Sequence, residues 1–393
     1  MRQLRVVLIT NAFLPHAGGS RLLYYHLFKQ IAAPDCEVTI VTGKVPGWRA
    51  FDAREQTRSF RIKRYFKPLL DHSYFQLPKM IGPVAAGALT SLFRRADVVC
   101  CGDLFPAGLT GLALKKAFGF PLVTFCHGED VTLTDQRRFQ PKVRDRIFSA
   151  ADAVIANGGF AVENLRRIGV HDLKVHKITP GVDTSAFFPD APDDALRRRY
   201  GIREELVILT VARLVPRKGH RYVMSALAAL ASEIPPFKYL IVGQGSEEAA
   251  LRSLAETLKL QDKVVFAGFV PGHDLNNHYN LADVVVMPNI SEAGDLEGFG
   301  MVFLEANAAG KPVIGGRSGG TAEAVVDGRT GILVDPEQGG QLADALRLLL
   351  TDAASRRNMG EAGLHRVGSE FGWDTRARTF RRILDDVVTN YSG

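Results

Sequence analysis

Short apolar, β-branched runs alternate with helix-length stretches along most of this chain, and the alternation breaks once and then restarts. The first series is Leu4 to Thr10, Glu37 to Val41, Asp97 to Cys101, Pro121 to Cys126 and Ala153 to Ala156, separated by segments such as Ser20 to Ala32. Runs this short and this uniformly apolar suit strands covered on both faces, which calls for a parallel sheet with helices on either side. After Pro189 the pattern begins again, with Leu206 to Ala212, Tyr239 to Val242, Val264 to Ala267, Val284 to Met287, Pro312 to Ile314 and Gly331 to Val334. Between the two series, residues 180 to 192 are rich in Pro, Asp and Gly and lack apolar periodicity, as an interdomain connection would. A chain of 393 residues is too long for one ordinary core and fits two domains of about 100–200 residues each. Near the end, Trp373 and Asp374, a plausible N-cap, open a last helix to about Val388.

Composition narrows the classes. With 46% hydrophobic and 23% charged residues the chain reads as a soluble globular protein. The longest apolar stretch, Met80 to Phe93, is interrupted by Pro83, Thr90 and Ser91, so no bilayer span is expected. Met-Arg-Gln-Leu-Arg followed by Val-Val-Leu-Ile-Thr has too short an apolar part for a signal peptide and reads as a first strand. Cys36, Cys100, Cys101 and Cys126 show no metal-ligand spacing, and buried reduced thiols fit a cytoplasmic enzyme. The formal charge of +7 comes with no zinc-finger, helix-turn-helix or RNP-like pattern, which argues against a nucleic-acid partner. Basic residues instead crowd between Lys44 and Lys67, where Arg49, Arg54, Arg58, Arg61, Lys63 and Arg64 mix with Trp48, Phe51, Phe60, Tyr65 and Phe66. That mixture suits peripheral docking on an anionic membrane surface, while a plain strand with exposed charges over Arg61 to Phe66 is the competing reading.

The chemistry is concentrated further on. Glu297 and Glu305 bracket Gly298, Phe299, Gly300, Met301, Val302, Phe303 and Leu304, a glycine-flanked loop running into a helix expected over Met301 to Ala309. Free N–H groups and the helix dipole at such a start favour an anionic or hydroxyl-rich ligand, and two carboxylates can address two parts of it. A carboxylate accepts paired hydrogen bonds from vicinal hydroxyls but repels phosphate unless cations stand nearby. Cations are available in Arg213, at the end of the Leu206 to Ala212 run, and in Lys218, where a ligand beyond the carboxyl ends of the strands would be met. Arg grips phosphate oxygens as a fork; Lys acts as a point charge.

Val-Ala-Arg-Leu-Val-Pro-Arg-Lys-Gly at 211 to 219, together with Glu-Gly-Phe-Gly-Met-Val-Phe-Leu-Glu-Ala at 297 to 306, resembles the retaining glycosyltransferase family 4, which has the GT-B fold. The likeness runs through Pro15-His16-Ala17-Gly18-Gly19-Ser20, His127-Gly128-Glu129-Asp130, Pro180-Gly181-Val182-Asp183, Ile241-Val242-Gly243-Gln244-Gly245 and Ser318-Gly319-Gly320-Thr321-Ala322-Glu323. It implies an α/β fold of two Rossmann-like domains with parallel sheets facing across a cleft. Residues 1–187 would form the acceptor-binding domain, 188–372 the domain binding a nucleotide-sugar donor, and 373–393 a helix crossing back to the first. It further implies that Arg213 and Lys218 hold the donor diphosphate, that Glu297 holds hydroxyls of the transferred sugar, and that Glu305 accepts from the ribose. Phe299, Gly300, Met301 and Val302 would lie along the sugar and phosphates. Gly18, Gly19 and Gly243 would sit close to the donor, His127 would contact the sugar or its leaving face, and Asp130 would support His127 or the acceptor.

The resemblance is nearest to mannosyltransferases acting on phosphatidylinositol mannosides, which implies GDP-mannose as donor, with UDP-sugars open, and a glycan or lipid-linked hydroxyl as acceptor. Retention of configuration rests on the resemblance alone. No metal and no cofactor are called for, because Arg213 and Lys218 can neutralise the diphosphate and no Asp-x-Asp motif stands between a strand and a loop. Three other readings compete. Gly243-Gln244-Gly245 is half of a dinucleotide fingerprint, yet the position of its third glycine is Glu248, which disfavours an NAD-linked oxidoreductase. A GT-B epimerase and an inactive nucleotide-binding homologue keep the fold without the transfer.

Overall fold

The computed structural model describes residues 3–16, 18–68, 77–135, 140–292, 295–338 and 340–391. Ala17 of the expected glycine loop and residues 293–294 before Glu297 lie outside the described residues. The chain divides into two compact units, Met1–Pro180 with Trp373–Gly393, and Gly181–Gly372. The division falls at Pro180, ahead of the expected boundary at 187, and Val182 hydrogen-bonds the Phe371 carbonyl of its own unit at 3.0 Å.

The first unit is built on β1 (Leu4–Ile9), β2 (Cys36–Gly43), β3 (Phe60–Phe66), β4 (Val98–Cys101), β5 (Leu122–Cys126), β6 (Ala153–Ala156) and β7 (Val175–Lys177). These pair in parallel in the order β3-β2-β1-β4-β5-β6-β7. β4, β5 and β6 are buried at every residue, which is why they read as continuous apolar runs. Two strands were not among the expected apolar runs: β7 is short and mostly half-buried, and β3 is an edge strand whose alternation of Phe60, Ile62 and Arg64 inward with Tyr65 outward hides it among charges. Residues 60–66 are therefore a strand, one of whose charges, Arg64, is buried. The helix Trp373–Tyr391 closes this unit, laying Phe380 against Phe28 at 5.0 Å and Phe125 at 5.8 Å between ring centroids.

The second unit has β8 (Leu206–Val211), β9 (Phe237–Val242), β10 (Val264–Gly268), β11 (Val284–Met287), β12 (Val313–Gly316) and β13 (Gly331–Val334), parallel in the order β10-β9-β8-β11-β12-β13. In both sheets the order reverses direction once, between β1 and β4 and between β8 and β11. A crevice opens outside the carboxyl ends of the strands at such a point, so each unit has one place where a ligand is expected. All four cysteines are buried thiols. Among the described residues no helix is long and apolar enough to cross a membrane.

Candidate active site

In the second unit, β8 ends at Val211 and β11 at Met287, and the loops leaving those two neighbouring strands carry the charged residues. The first loop passes Arg213 and tightens into a single 3-10 turn, Pro216–Lys218, with Pro216 fixing its start. The second runs from Pro288 to Gly300 and delivers Glu297 before the helix Met301–Ala308. The two loops are tied together. Ile290 donates its amide to the Arg217 carbonyl at 2.9 Å, while Arg217 Nη1 meets Glu297 Oε2 at 3.1 Å and Nε meets Asp295 Oδ2 at 2.9 Å. Lys218 Nζ donates to the same Glu297 oxygen.

Burial decides what these contacts do to the charges. Burial alone pushes the Glu297 carboxyl up, but Lys218 and Arg217 together outweigh it and hold its pKa below the usual carboxylate range. Burial drives the Lys218 ammonium down, and Glu297 only partly restores it. Arg213 differs from both. It is exposed and makes no ion pair or side-chain hydrogen bond among the described residues, so its guanidinium is the uncommitted cation of the cluster.

The backbone around Glu297 is fixed from the other side. Gly320 donates to the Glu297 carbonyl at 2.8 Å, and a Cβ at Gly319 or Gly320 would collide with the carbonyl of Glu297 or Gly298. Gly319 also has φ of +60°, which a side chain would resist. Asn289, fully buried, holds the start of the same loop by accepting from the Gly316 amide at 3.2 Å and donating to Thr321 Oγ1 at 3.1 Å. The helix begins at Met301 behind Gly300, no side chain caps it, and the Phe303 amide takes the Gly300 carbonyl. Phe299 turns its ring into the core against Phe371, so only its backbone is left to face a ligand. Met301 and Val302 are half-buried against the core. Glu305 is buried inside the helix and accepts from the Tyr279 hydroxyl at 2.7 Å; burial raises its pKa and Tyr279 pulls it partly back. Gly243 and Gly245 have a structural reason to be glycine, because a Cβ at either would strike the Ala212 or Leu214 carbonyl, where the segments leaving the neighbouring parallel strands β8 and β9 run close together. Half a dinucleotide fingerprint here is thus a close approach of two backbone segments.

In the first unit Gly18 and Gly19 open the helix Gly19–Ile31 after β1. Asp103 follows β4 and gathers the Thr10 hydroxyl at 3.1 Å and the amides of Asn11 and Ala107 at 2.6 and 3.2 Å. His127 follows β5, is buried, and sets Nε2 at 2.5 Å from the Tyr24 hydroxyl, which itself donates to the Gly102 carbonyl. Asp130 accepts from the His127 backbone amide at 2.7 Å, so it supports the histidine through the main chain and not through the ring. Burial lowers the His127 pKa and pushes both Asp103 and Asp130 up to about 6.

Residues 192–366 match the family model for glycosyl transferases group 1, and residues 17–186 match that for glycosyltransferase family 4. The GDP-mannose-dependent alpha-(1-6)-phosphatidylinositol monomannoside mannosyltransferase of Mycolicibacterium smegmatis is 32% identical over 384 residues, covering 96% of this chain and 98% of the relative. The chain belongs to glycosyltransferase family 4. A more distant relative of this glycosyltransferase is the D-inositol 3-phosphate glycosyltransferase of Kribbella flavida, 32% identical over 292 residues, or 70% of the chain and 67% of the relative. Among solved structures, sucrose-phosphate synthase from Thermosynechococcus elongatus aligns over 99% of this chain and 100% of its own, with a TM-score of 0.83 and 26% identity. The Anabaena protein HepE, crystallised with UDP and glucose, aligns over 98% and 100% with a TM-score of 0.82 at 20% identity, a likeness of fold. The two sheets of the glycosyltransferase are accordingly those of the GT-B fold.

Several residues of the two candidate sites were not among the expected ones. Arg217 stands inside the Val-Pro-Arg-Lys-Gly motif, and its charge was the available signal. Asp295, Tyr279, Asn289 and Tyr24 act across 26 to 103 positions of sequence, and nothing in their neighbourhoods marks them. The Ser318-Gly319-Gly320 motif was visible, but its role as the support behind Glu297 was not.

Proposed function

We propose that this enzyme transfers a mannosyl group from GDP-mannose, with retention of configuration and without a divalent metal, to a hydroxyl of a lipid-linked glycan at an anionic membrane surface. The observation that carries the reading is the unpaired Arg213 beside the Arg217–Glu297–Lys218 cluster at the reversal point of the second sheet. A diphosphate arriving there meets the exposed guanidinium of Arg213 first, and Lys218 and Arg217, held in place by Glu297 and Asp295, lie behind it. Charge developing on the leaving phosphate is stabilised by groups that need not reorganise. The same cations do the work a metal ion would do, which supports metal independence. Glu297, held by two donors on one oxygen, can accept from sugar hydroxyls with the other. Glu305 is suited to the ribose, with Tyr279 holding one of its oxygens.

GDP-mannose is favoured because the mycobacterial relative, matched nearly end to end, is named for that donor and for a phosphatidylinositol mannoside acceptor. No side chain identified here is a nucleophile, so retention is assigned to same-face attack, with the donor phosphate accepting the proton of the acceptor hydroxyl. Titrating GDP-mannose, UDP-glucose and UDP-N-acetylglucosamine by calorimetry, with and without EDTA, tests donor and metal together. Tight binding of UDP-sugars only, or loss of turnover with EDTA that Mg²⁺ restores, would overturn the corresponding part.

Membrane docking is drawn from a groove of about 520 Å³ in the first unit, between β3 and the end of the helix Leu77–Phe93. Tyr65, Leu89 and Phe93 expose apolar surface there, and Lys63 and Arg94 rim it. Lys44, Arg49, Arg58 and Lys67 add exposed charge, whereas Arg64 contributes none, being buried in an ion pair with Asp52 at 2.8 Å. Sedimentation with acidic vesicles should be strong at low salt and weak at high salt. Equal recovery with neutral vesicles would remove the membrane from the proposal.

A further inference from the structure

One guanidinium in the second unit is divided between two carboxylates, and the division decides what stays open on Glu297. Arg217, buried in its 3-10 turn, sets Nε 2.9 Å from Asp295 Oδ2 and donates from Nη1 to Glu297 Oε2 at 3.1 Å. Lys218 donates to the same Oε2. Among the described residues Oε1 accepts no hydrogen bond, although a guanidinium next to a carboxylate favours a fork, two parallel N–H groups on two oxygens. Half of that fork is withheld here.

Asp295 accounts for what is withheld. Turning Arg217 so that a second N–H reaches Oε1 carries Nε away from Asp295 Oδ2 and gives up that ion pair. Asp295 does not follow, because its amide donates to the Glu292 carbonyl at 2.8 Å and its carbonyl accepts from the Glu292 amide at 3.1 Å. Glu297 does not follow either, with the Gly320 amide on its carbonyl at 2.8 Å. The diphosphate gives no reason for Asp295 to be acidic, since its charge opposes an anionic ligand and offsets one of the two cations facing Glu297. Its side chain is 33% exposed, so it does not serve to fill the core.

We propose that Asp295 is a positioning residue: by holding the Nε edge of Arg217 it keeps that guanidinium on one oxygen of Glu297 and leaves Oε1 open to hydroxyls of the donor sugar. This rests on the transferase reading above and adds to it a division of effect. Asp295 serves the sugar half of the donor and works against the diphosphate half. Every residue involved lies in the unit Gly181–Gly372.

One part of the test needs no ligand. A crystal structure of Asp295→Ala should show two Arg217 nitrogens on the two Glu297 oxygens, and an Arg217 that stays on Oε2 alone overturns the proposal. Calorimetry with GDP and with GDP-mannose then separates the two halves of the donor. Asp295→Ala should bind GDP at least as tightly as the wild type, because a negative charge has gone. The ratio of the GDP-mannose Kd to the GDP Kd should rise at least about tenfold, for the charge-assisted hydrogen bond lost at Oε1. Adding Arg217→Lys to Asp295→Ala should return most of that ratio, because an ammonium is a point charge and cannot fork. If Asp295 only stiffened its loop, GDP would weaken together with GDP-mannose and the second substitution would add to the damage; either result overturns the proposal. Asp295→Asn keeps the size of the side chain and guards against a folding defect, and an unchanged ratio in that variant overturns the proposal as well. Should the wild type bind neither ligand, the donor reading falls, and the crystal structure of Asp295→Ala still decides this one.

Discussion

At the carboxyl end of the second sheet, Arg217, Lys218, Asp295 and Glu297 stand in ion pairs with one another, whereas at the same end of the first sheet Tyr24, Asp103, His127 and Asp130 are shielded polar groups that make no ion pair among the described residues, with the Arg21 charge acting on Tyr24. The strands leading to both places are equally apolar, so the contrast is made by the loops. Paired charge keeps a carboxylate ionised in a shielded place; shielding without a counter-charge pushes carboxyls toward their neutral form. The shift is downward at Glu297 and upward, to about 6, at Asp103 and Asp130. A fixed arrangement of charge suits a diphosphate that arrives charged, and a neutral polar one suits hydroxyls.

The most direct way to break this contrast is Glu297→Gln, which leaves Lys218 and Arg217 facing an amide. Removing one partner of a buried pair costs about 3–5 kcal/mol, and the lower end is expected because Arg217 keeps Asp295. Because the pKa of Glu297 is lowered on folding, the stability it contributes is present above the ordinary glutamate pKa of 4.5 and lost as pH falls through its folded value. Urea melts of the variant should therefore lack that part of the acid loss seen in the wild type. If the variant melted like the wild type at neutral pH, the cluster would not be a working ion pair.

Arg213 and Lys218 separate charge used for the ligand from charge used for the fold. Arg213→Ala should raise the barrier by roughly 2.7–4 kcal/mol, as when other preorganised donors are removed, and leave the melting temperature unchanged. Lys218→Ala should lose as much activity and also melt earlier, since it strands part of the Glu297 charge. Equal melting of the two variants would erase the distinction.

Smaller again is Tyr279→Phe, which withdraws the donor from buried Glu305 and should cost about 1–3 kcal/mol in chemical denaturation. A cost near zero would mean that Glu305 has a second partner equal to the first.

The last variant sharpens the sign of the comparison. The pKa of Asp130 is raised from 3.8 to about 6 in the fold, so its contribution is full below about 3.8 and is lost as pH rises through about 6. Asp130→Asn should gain stability relative to the wild type across that interval, reaching about 3 kcal/mol above pH 6 at roughly 1.36 kcal/mol per pKa unit. A gain toward acid pH instead would show that Asp130 behaves like Glu297 and that the two sites are alike.

What could be read in advance follows from how far each interaction reaches. Strands β4, β5, β6, β8 and β11 are buried throughout or nearly so, and their composition alone marks them. The edge strand β3 packs one face and exposes charge on the other, so it was weighed against a membrane patch. Arg213, Lys218, Glu297 and Glu305 belong to two short motifs and could be chosen locally. Arg217 shares a motif with Lys218, yet only the fold shows that it spans Asp295 and Glu297. The partner of Glu305 lies on the helix Leu275–Leu281 and that of His127 on the helix Gly19–Ile31, and no local spacing encodes such meetings.

The helix Trp373–Tyr391 belongs to the unit that the chain begins, not to the one it has just left. During synthesis, strands β1 to β7 emerge first, yet the rings of Phe28 and Phe125 wait for Phe380, which leaves the ribosome only after the whole second unit. The continuous unit, Gly181–Gly372, has every one of its strands available before then and can close on its own while its neighbour is unfinished. The order of completion is thus the reverse of the order of translation, and a chain cut short after Gly372 would carry a finished second sheet beside a first one with its aromatic flank uncovered.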